Sequence, residues 1–273
     1  MFNVFFHRVR QEAPIIHNIT NYVTVNDCAN MLLACGARPI MADDIAEMKE
    51  ITSISAGLNI NLGTLTQRTV RSMLAAGKKA NVLGHPVILD PVGVGASRLR
   101  TETALELLEV IQFSVIRGNV SEIKALATGS SKTKGVDADM ADQVTPDNLN
   151  EAISFAKQFS QRTGAAIVMT GVVDIAADKD KAFCVYNGHP MMSGVTGTGC
   201  QLSAVVAAFV AARPDHPLEA AAAATCAMGL CGEIAFSRMS PLDGNAAYRG
   251  HVIDAMYNLT PEALEKGAKY DMR

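Results

Sequence analysis

Apolar runs of four to seven residues take turns along this chain with longer stretches whose apolar positions recur every three or four. Residues 2–10 predict a short amphipathic helix that stops before Pro14, and PIIHNIT (14–20) predicts a first strand. From Thr24 the spacing changes. Cys28, Met31, Leu32 and Cys35 fall at i, i+3, i+4 and i+7, one buried helix face, and Gly36 closes the helix. A strand over 37–42, a helix capped by Asp43 or Asp44 and reaching residue 56, a strand over 58–63 and a helix over 66–80 follow. VILDPVG (87–93) reads as a buried strand ending in a Pro/Gly turn, before a helix over 101–111, a strand over 113–119 and a short helix from Ser121. Residues 129–143 break the rhythm with Gly, Ser, Lys and Asp, which predicts a solvated loop or flap carrying Asp137, Asp139 and Asp142.

Thr145-Pro146 opens the next helix, running to residue 162 with proline at its first position. AAIVMTG (165–171) is a strand, and DIAAD and KAFCVYNG form an antiparallel hairpin turning at 178–181. Three helices close the chain, over 217–236, over 242–257 and from Thr260-Pro261. Strands alternating with helices through short loops predict a mostly parallel central sheet with helices on both faces, a three-layer α/β/α fold. No linker or shift of composition divides it, so one domain over residues 1–273 is expected.

One stretch stands apart, GVTGTGCQLSAVVAAFVAA (194–212). Three glycines, two threonines and a cysteine occupy six of its first seven positions, and a helix of small residues follows at once. Glycines allow close backbone approach, and a helix start presents unpaired N–H groups with a positive dipole end. Such a loop suits an anion. Cys200 falls in the first turn, where it can be a nucleophile, a small packing residue or a group lining a substrate hydroxyl; patterning alone favours packing.

Composition narrows the class. The chain of 273 residues is 49% apolar and 19% charged with a formal charge of −3, so nothing in its charge favours a nucleic acid. Its six cysteines form no CxxC pair and no zinc spacing, which fits free thiols in a reducing compartment. The N-terminus lacks the order of a signal peptide, and polar residues or glycines interrupt each apolar stretch before 18 positions. A cytoplasmic protein without membrane contact is expected. GxxxxGK[ST] is absent and no GxGxxG follows the first strand, which excludes a P-loop and argues against a dinucleotide fold.

Ligands of doubly wound sheets bind beyond the carboxyl ends of the strands, and several strands here end in polar or glycine-rich turns. Asp90 precedes Pro91, and Glu122 follows Asn119 by three residues. These carboxylates could hold Mg²⁺, or could cap a turn and complement a helix dipole. Arg117 ends an apolar strand and needs an anion, either phosphate or a structural carboxylate. His17, near the end of the first strand, suits a structural hydrogen bond better than catalysis.

Together, HNITN (17–21), GARPIMA (36–42), NLGTLT (61–66), ILDPVGVGAS (88–97), IRGNVSEI (116–123), VMTG (168–171) and VTGTGC (195–200) resemble the hydroxyethylthiazole kinases, a family of the ribokinase-like superfamily. The similarity spans nearly the whole chain in order. It implies transfer of the ATP γ-phosphoryl to 4-methyl-5-(2-hydroxyethyl)thiazole with Mg²⁺, by a homotrimer whose active sites lie between subunits. It implies that Met41 and Gly197 contact the thiazole with Asn21 and Val23 beside them, that Arg117 and Thr170 contact ATP, and that Asp90 and Glu122 support the metal. It further implies that Gly197 and Gly199 frame the anion hole with Cys200. The wider superfamily carries Asp as a base where Cys200 stands. Within the fold the competing expectation is a kinase for another small alcohol, such as a hydroxymethylpyrimidine. Outside it are a silent binding module and a transferase with a covalent intermediate on Cys200.

Overall fold

The structure is a computed structural model and describes residues 1–129, 144–145 and 147–273. Residues 130–143 of the expected flap, its three aspartates, and Pro146 as a helix opener lie outside the described residues. Nine strands form one sheet: β1 (Ile15–Ile19), β2 (Arg38–Met41), β3 (Gly57–Asn61), β4 (Val87–Asp90), β5 (Val115–Asn119), β6 (Ala166–Thr170), β7 (Asp174–Ala177), β8 (Ala182–Val185) and β9 (Tyr270–Met272). Their order is β2-β1-β3-β4-β5-β6-β7-β8-β9; β1 to β6 run parallel, and β7 to β9 are antiparallel additions.

Helices α1 (Asn3–Glu12) and α2 (Val25–Cys35) lie on one face with α8 (Thr198–Ala212), α9 (Pro217–Ser237), α10 (Asn245–Asn258) and α11 (Pro261–Gly267). The other face carries α3 (Met48–Ile54), α4 (Gln67–Leu83), α5 (Arg98–Val110), α6 (Val120–Thr128) and α7 (Leu149–Thr163). Alternate strand residues feed the two cores. Ile16, Ile88, Val115 and Val168 pack on the α8 side; Leu58, Ile60, Leu89, Ile116 and Ile167 pack on the α4 side. This is the expected three-layer α/β/α arrangement.

Four helix starts differ from expectation: the helix expected to open at Thr145 begins at Leu149, after a turn in which Asn148 Oδ1 accepts from the Thr145 amide (2.8 Å), and three others differ for reasons as local. The helix expected from Asp43 begins at Met48, because the carboxylate of Asp44 caps the Ala46 amide (2.9 Å) and that of Asp43 is taken by Arg68. Ser97 accepts from the Arg100 amide, which starts α5 at Arg98, earlier than expected. The helix expected from residue 242 starts at Asn245, since Asp243 instead accepts from the Ser240 amide in a tight turn. Strand β9 was not expected: three residues carry no period, and it exists by pairing with β8.

Helix α9 has the length and mean hydropathy (1.4) of a membrane span, contrary to the expectation that no apolar stretch would reach it. Of its apolar window 72% is buried inside the fold, so it is a core helix here. It packs tightly by means of small residues. A Cβ at Gly229 would stand 2.6 Å from the backbone oxygen of Asn187 and 2.7 Å from its carbonyl carbon. Backbone cannot swing aside as a side-chain end can. Gly229→Ala should therefore destabilise by about 1–3 kcal/mol despite better helix propensity, read as a lower urea midpoint with unchanged m-value. A neutral or raised midpoint would show that the packed loop yields.

Candidate active site

The parallel register brings one row of polar side chains to the carboxyl edge of the sheet. Asn18 pairs across from both Met41 and Asn59, Asn61 from Asp90, and Asn119 from Thr170. Asp90, fully buried, is the centre of the row. Its Oδ2 accepts from Asn61 Nδ2 (2.8 Å) and Ser203 Oγ (2.8 Å) and lies 3.8 Å from Arg117 Nη1. Burial pushes the Asp90 carboxyl up from its ordinary value; Arg117, Ser203 and Asn61 work against that push. Its Oδ1 has no hydrogen-bond partner among the described residues.

Arg117 answers the question its sequence position raised. Its Nη2 donates to Thr170 Oγ1 (2.8 Å), its charge faces Asp90, and its Nε is buried without a partner among the described residues. The carboxylate partner is present in the protein. Glu122 takes the capping role among those considered: its Oε2 accepts from the Asn119 amide (2.9 Å) while Asn119 Oδ1 accepts from the Glu122 amide (2.8 Å), a reciprocal cap on α6. Its Oε1 accepts from the Gly93 amide (2.8 Å), which ties the β4 turn to α6. Burial, with the charge of Asp90 adding to it, lifts this carboxyl to about 7.

Helix α8 comes down on the row with its N-terminus. Gly197 precedes it at φ +90°, and no side chain caps the helix. Two glycines make the descent possible. A Cβ at Gly199 would stand 2.6 Å from Arg117 Nη1, and one at Gly197 would stand 2.3 Å from Thr24 Cγ2. The first-turn amides of α8 have no acceptor within the helix, so they and the dipole form a positive end above Asp90 and Arg117.

Cys200 sits at this junction, half-buried. Its sulfur accepts from Asn61 Nδ2 (3.2 Å) and Asn21 Nδ2 (3.3 Å), and Asn21 also donates to Asn61 Oδ1 (3.0 Å). Asn21 Oδ1 in turn accepts from the amides of Val23 and Thr24 (both 3.1 Å), which fixes the entry to α2. Burial, and then the charge of Asp90, raise the Cys200 thiol above its ordinary value. It is a protonated thiol at neutral pH, not a thiolate.

A cavity of about 330 Å³ opens beside this junction, where the chain order reverses between β1 and β3. Asn21 and Met41, two of the residues expected at the acceptor, line it. Val23 and Gly197 do not; Val23 is 56% exposed beside Tyr22 at 78%. Residues that sequence reasoning did not single out complete the lining, among them Asn18, Thr66, Thr69, Met73, Asp43 and Arg68. Ser203 was also missed, although its place one turn after Cys200 on the same helix face was a usable signal. His17 is structural, as expected: its Nδ1 meets Thr52 Oγ1 (3.1 Å) and its Nε2 the Ala42 carbonyl (3.0 Å).

A profile of the hydroxyethylthiazole kinase family matches residues 6–262. The chain belongs to that family. Hydroxyethylthiazole kinase from Clostridium acetobutylicum is 62% identical to it over 263 residues, 96% of each chain. The solved structure of a hydroxyethylthiazole kinase protein from Pyrococcus horikoshii OT3 is 33% identical and superposes with a TM-score of 0.89, covering 100% of this chain and 98% of that one. A ribokinase-like superfamily protein from Enterococcus faecalis V583 is only 12% identical, with a TM-score of 0.61 over 96% of this chain and 90% of its own. At that identity the likeness concerns the fold alone, and the fold is ribokinase-like.

For this kinase the state of Cys200 can be checked directly. Alkylation of Cys200 by iodoacetamide, followed by peptide mapping, should rise with pH without a plateau below pH 9, since burial and the Asp90 charge oppose thiolate formation. A plateau near pH 7 would mean an activated thiolate.

Proposed function

We propose that the chain transfers the γ-phosphoryl group of ATP to the hydroxyl of 4-methyl-5-(2-hydroxyethyl)thiazole, giving the thiazole phosphate used in thiamine biosynthesis and salvage. The observation that carries this proposal is the uncapped N-terminus of α8 seated over the Asp90–Arg117 pair, directly beside a cavity large enough for a small heteroaromatic alcohol. The acceptor occupies the cavity lined by Asn21 and Met41; Val23 and Gly197, outside that lining, meet it only from the neighbouring turns. The amides of the Gly197–Cys200 turn receive the moving phosphoryl group, Gly197 and Gly199 allowing its close approach. Arg117 and Thr170, already hydrogen-bonded to each other, meet the ATP phosphates.

The donor chemistry fits Mg²⁺ at Asp90, whose buried Oδ1 lacks a partner. Glu122 has both oxygens engaged by amides and fits a supporting place through water. Bound there, the ion would neutralise charge on the phosphates. The protein's own contribution is placement. As the O–P bond forms, the bond to the leaving ADP oxygen breaks through a loose transition state, and the hydroxyl proton is shed late. Cys200, protonated and held by two asparagine amides, orients that hydroxyl and assists its deprotonation weakly at most.

The whole chain, residues 1–273, works as one kinase domain in the cytoplasm; six free cysteines support a reducing compartment. It assembles as a homotrimer with active sites between subunits, a proposal supported by Tyr22, which lines the cavity and is exposed, and by the exposed Val23 next to it in the chain. Light scattering should then give three times 28.9 kDa; a monomer at micromolar concentration would overturn the assembly.

The deciding experiment is a coupled ATP-consumption assay with the thiazole alcohol. Asp90→Asn should lower kcat by about a hundredfold or more, as loss of a group that organises transition-state charge does. Cys200→Ala should lower it by less than about tenfold, and Cys200→Asp should preserve or raise it if a base is useful there. A complete loss in Cys200→Ala would argue for an essential base or a covalent role. Phosphorylation of a hydroxymethylpyrimidine in place of the thiazole would overturn the substrate.

A further inference from the structure

The outer wall of the acceptor cavity is held by an ion pair that the proposed chemistry does not use. Strand β2 ends at Met41, and the next two residues leave the sheet along the cavity. Their backbone is pinned from both sides. The Ala42 carbonyl meets His17 Nε2 (3.0 Å), and the Asp43 carbonyl accepts from Ser72 Oγ of α4 (2.7 Å). The Asp43 carboxylate is then gripped by both arms of the Arg68 guanidinium, Nη1 to Oδ1 at 3.1 Å and Nη2 to Oδ2 at 2.9 Å. Asp44 stands 3.9 Å from the same guanidinium. Arg68 lies in the first turn of α4, whose start is fixed by the reciprocal Thr66–Thr69 cap, and Thr66, Arg68 and Thr69 all line the cavity opposite Met41.

A forked arginine–carboxylate pair has a fixed distance and a fixed plane, unlike a lysine contact. Asp43 and Arg68 are side chains from two separate elements, so the pair sets the separation of those elements. We infer that Asp43 and Arg68 are positioning residues for the acceptor: their pair holds the Met41 wall at a set width from the N-terminal turn of α4 and so orients the alcohol toward Cys200. The pair also cancels its own charge at the cavity wall, which leaves the lining suited to an uncharged acceptor. Its side chains are 53% and 42% exposed, and an exposed pair contributes little to global stability. A change here is therefore expected to be read in substrate handling and not in folding.

The inference rests on the assignment of this cavity to the acceptor. The test is steady-state kinetics with each substrate varied in turn for Arg68→Met, Asp43→Asn, the double variant, Arg68→Lys, and Met41→Ala as a control on the cavity. Arg68→Met and Asp43→Asn should each raise KM for the thiazole alcohol about three- to tenfold with KM for ATP within about twofold, and the double variant should be no worse than the worse single, because the two act as one pair. Arg68→Lys, which keeps charge without the fork, should recover only part of the loss. An unmoved acceptor KM in both single variants, additive losses in the double, or equal rises in both KM values with a lowered Tm would overturn the inference. If Met41→Ala also leaves the acceptor KM unmoved, the cavity assignment itself fails. If Met41→Ala raises it while the pair variants do not, only the role of the pair fails.

Discussion

The arrangement depends on how closely the N-terminus of α8 can approach the buried Asp90–Arg117 pair. Taking a carboxylate and a guanidinium out of water is costly, and the geometry must compensate with attraction and hydrogen bonds. Asn61, Ser203 and Thr170 supply the bonds, and the 3.8 Å separation supplies the attraction. Among the described residues the compensation is incomplete, because Asp90 Oδ1 and Arg117 Nε have no partners there. Polar atoms left unsatisfied at the mouth of an uncapped helix are atoms available to a charged ligand. Gly197 and Gly199 are what let the helix close over them, since any side chain there would strike Thr24 or Arg117.

From this constraint the neighbouring elements take their places. Helix α8 packs against β1, β3 and β4 below and α2 and α9 beside it, nearly all of it buried. A helix apolar on every side cannot choose its depth by amphipathic pattern. Its polar contacts choose it: Ser203 to Asp90, and Cys200 to the two asparagines. These contacts also join the cavity to the buried pair: Asn21 lines the cavity and touches Cys200 and Asn61, and Asn61 touches Asp90, so one chain of hydrogen bonds runs from the cavity wall to the buried carboxylate.

Much of this was legible in the amino-acid order, and the exceptions have physical causes. Strands β4 to β6 announce themselves because strands buried on both faces carry apolar runs bounded by polar turns. The convergence of Asn61, Asp90, Asn119 and Thr170 on one edge follows once the strands are parallel. The partner of Arg117 did not follow, since it depends on which strands are neighbours. Strand β9 was invisible because its three residues owe their form to distant pairing. The length of α9 was legible, as one continuous helix over 217–236, but its apolar character was not, because its polar residues and glycines count as interruptions of an apolar run while the mean hydropathy of the whole window stays high. The lining contributed by α4 escaped for another reason: Thr66 and Thr69 carry ordinary capping chemistry, and only the fold turns that cap toward a cavity.

Cys200 shows why a thiol can stand where the resemblance to the wider superfamily implies a carboxylate. A carboxylate there would receive the same two asparagine donors, but it would bring a second negative charge close to Asp90, whose own ionisation burial already opposes. A neutral thiol avoids that repulsion and accepts both amides at sulfur distances of 3.2 and 3.3 Å. What it forgoes is proton affinity at neutral pH. In a loose phosphoryl transfer the acceptor proton becomes strongly acidic only after the O–P bond is substantially formed, so early removal contributes less than alignment and charge neutralisation. In the proposed reaction the thiol is therefore compatible with catalysis, because the larger share is assigned to the helix end and the buried pair beneath it.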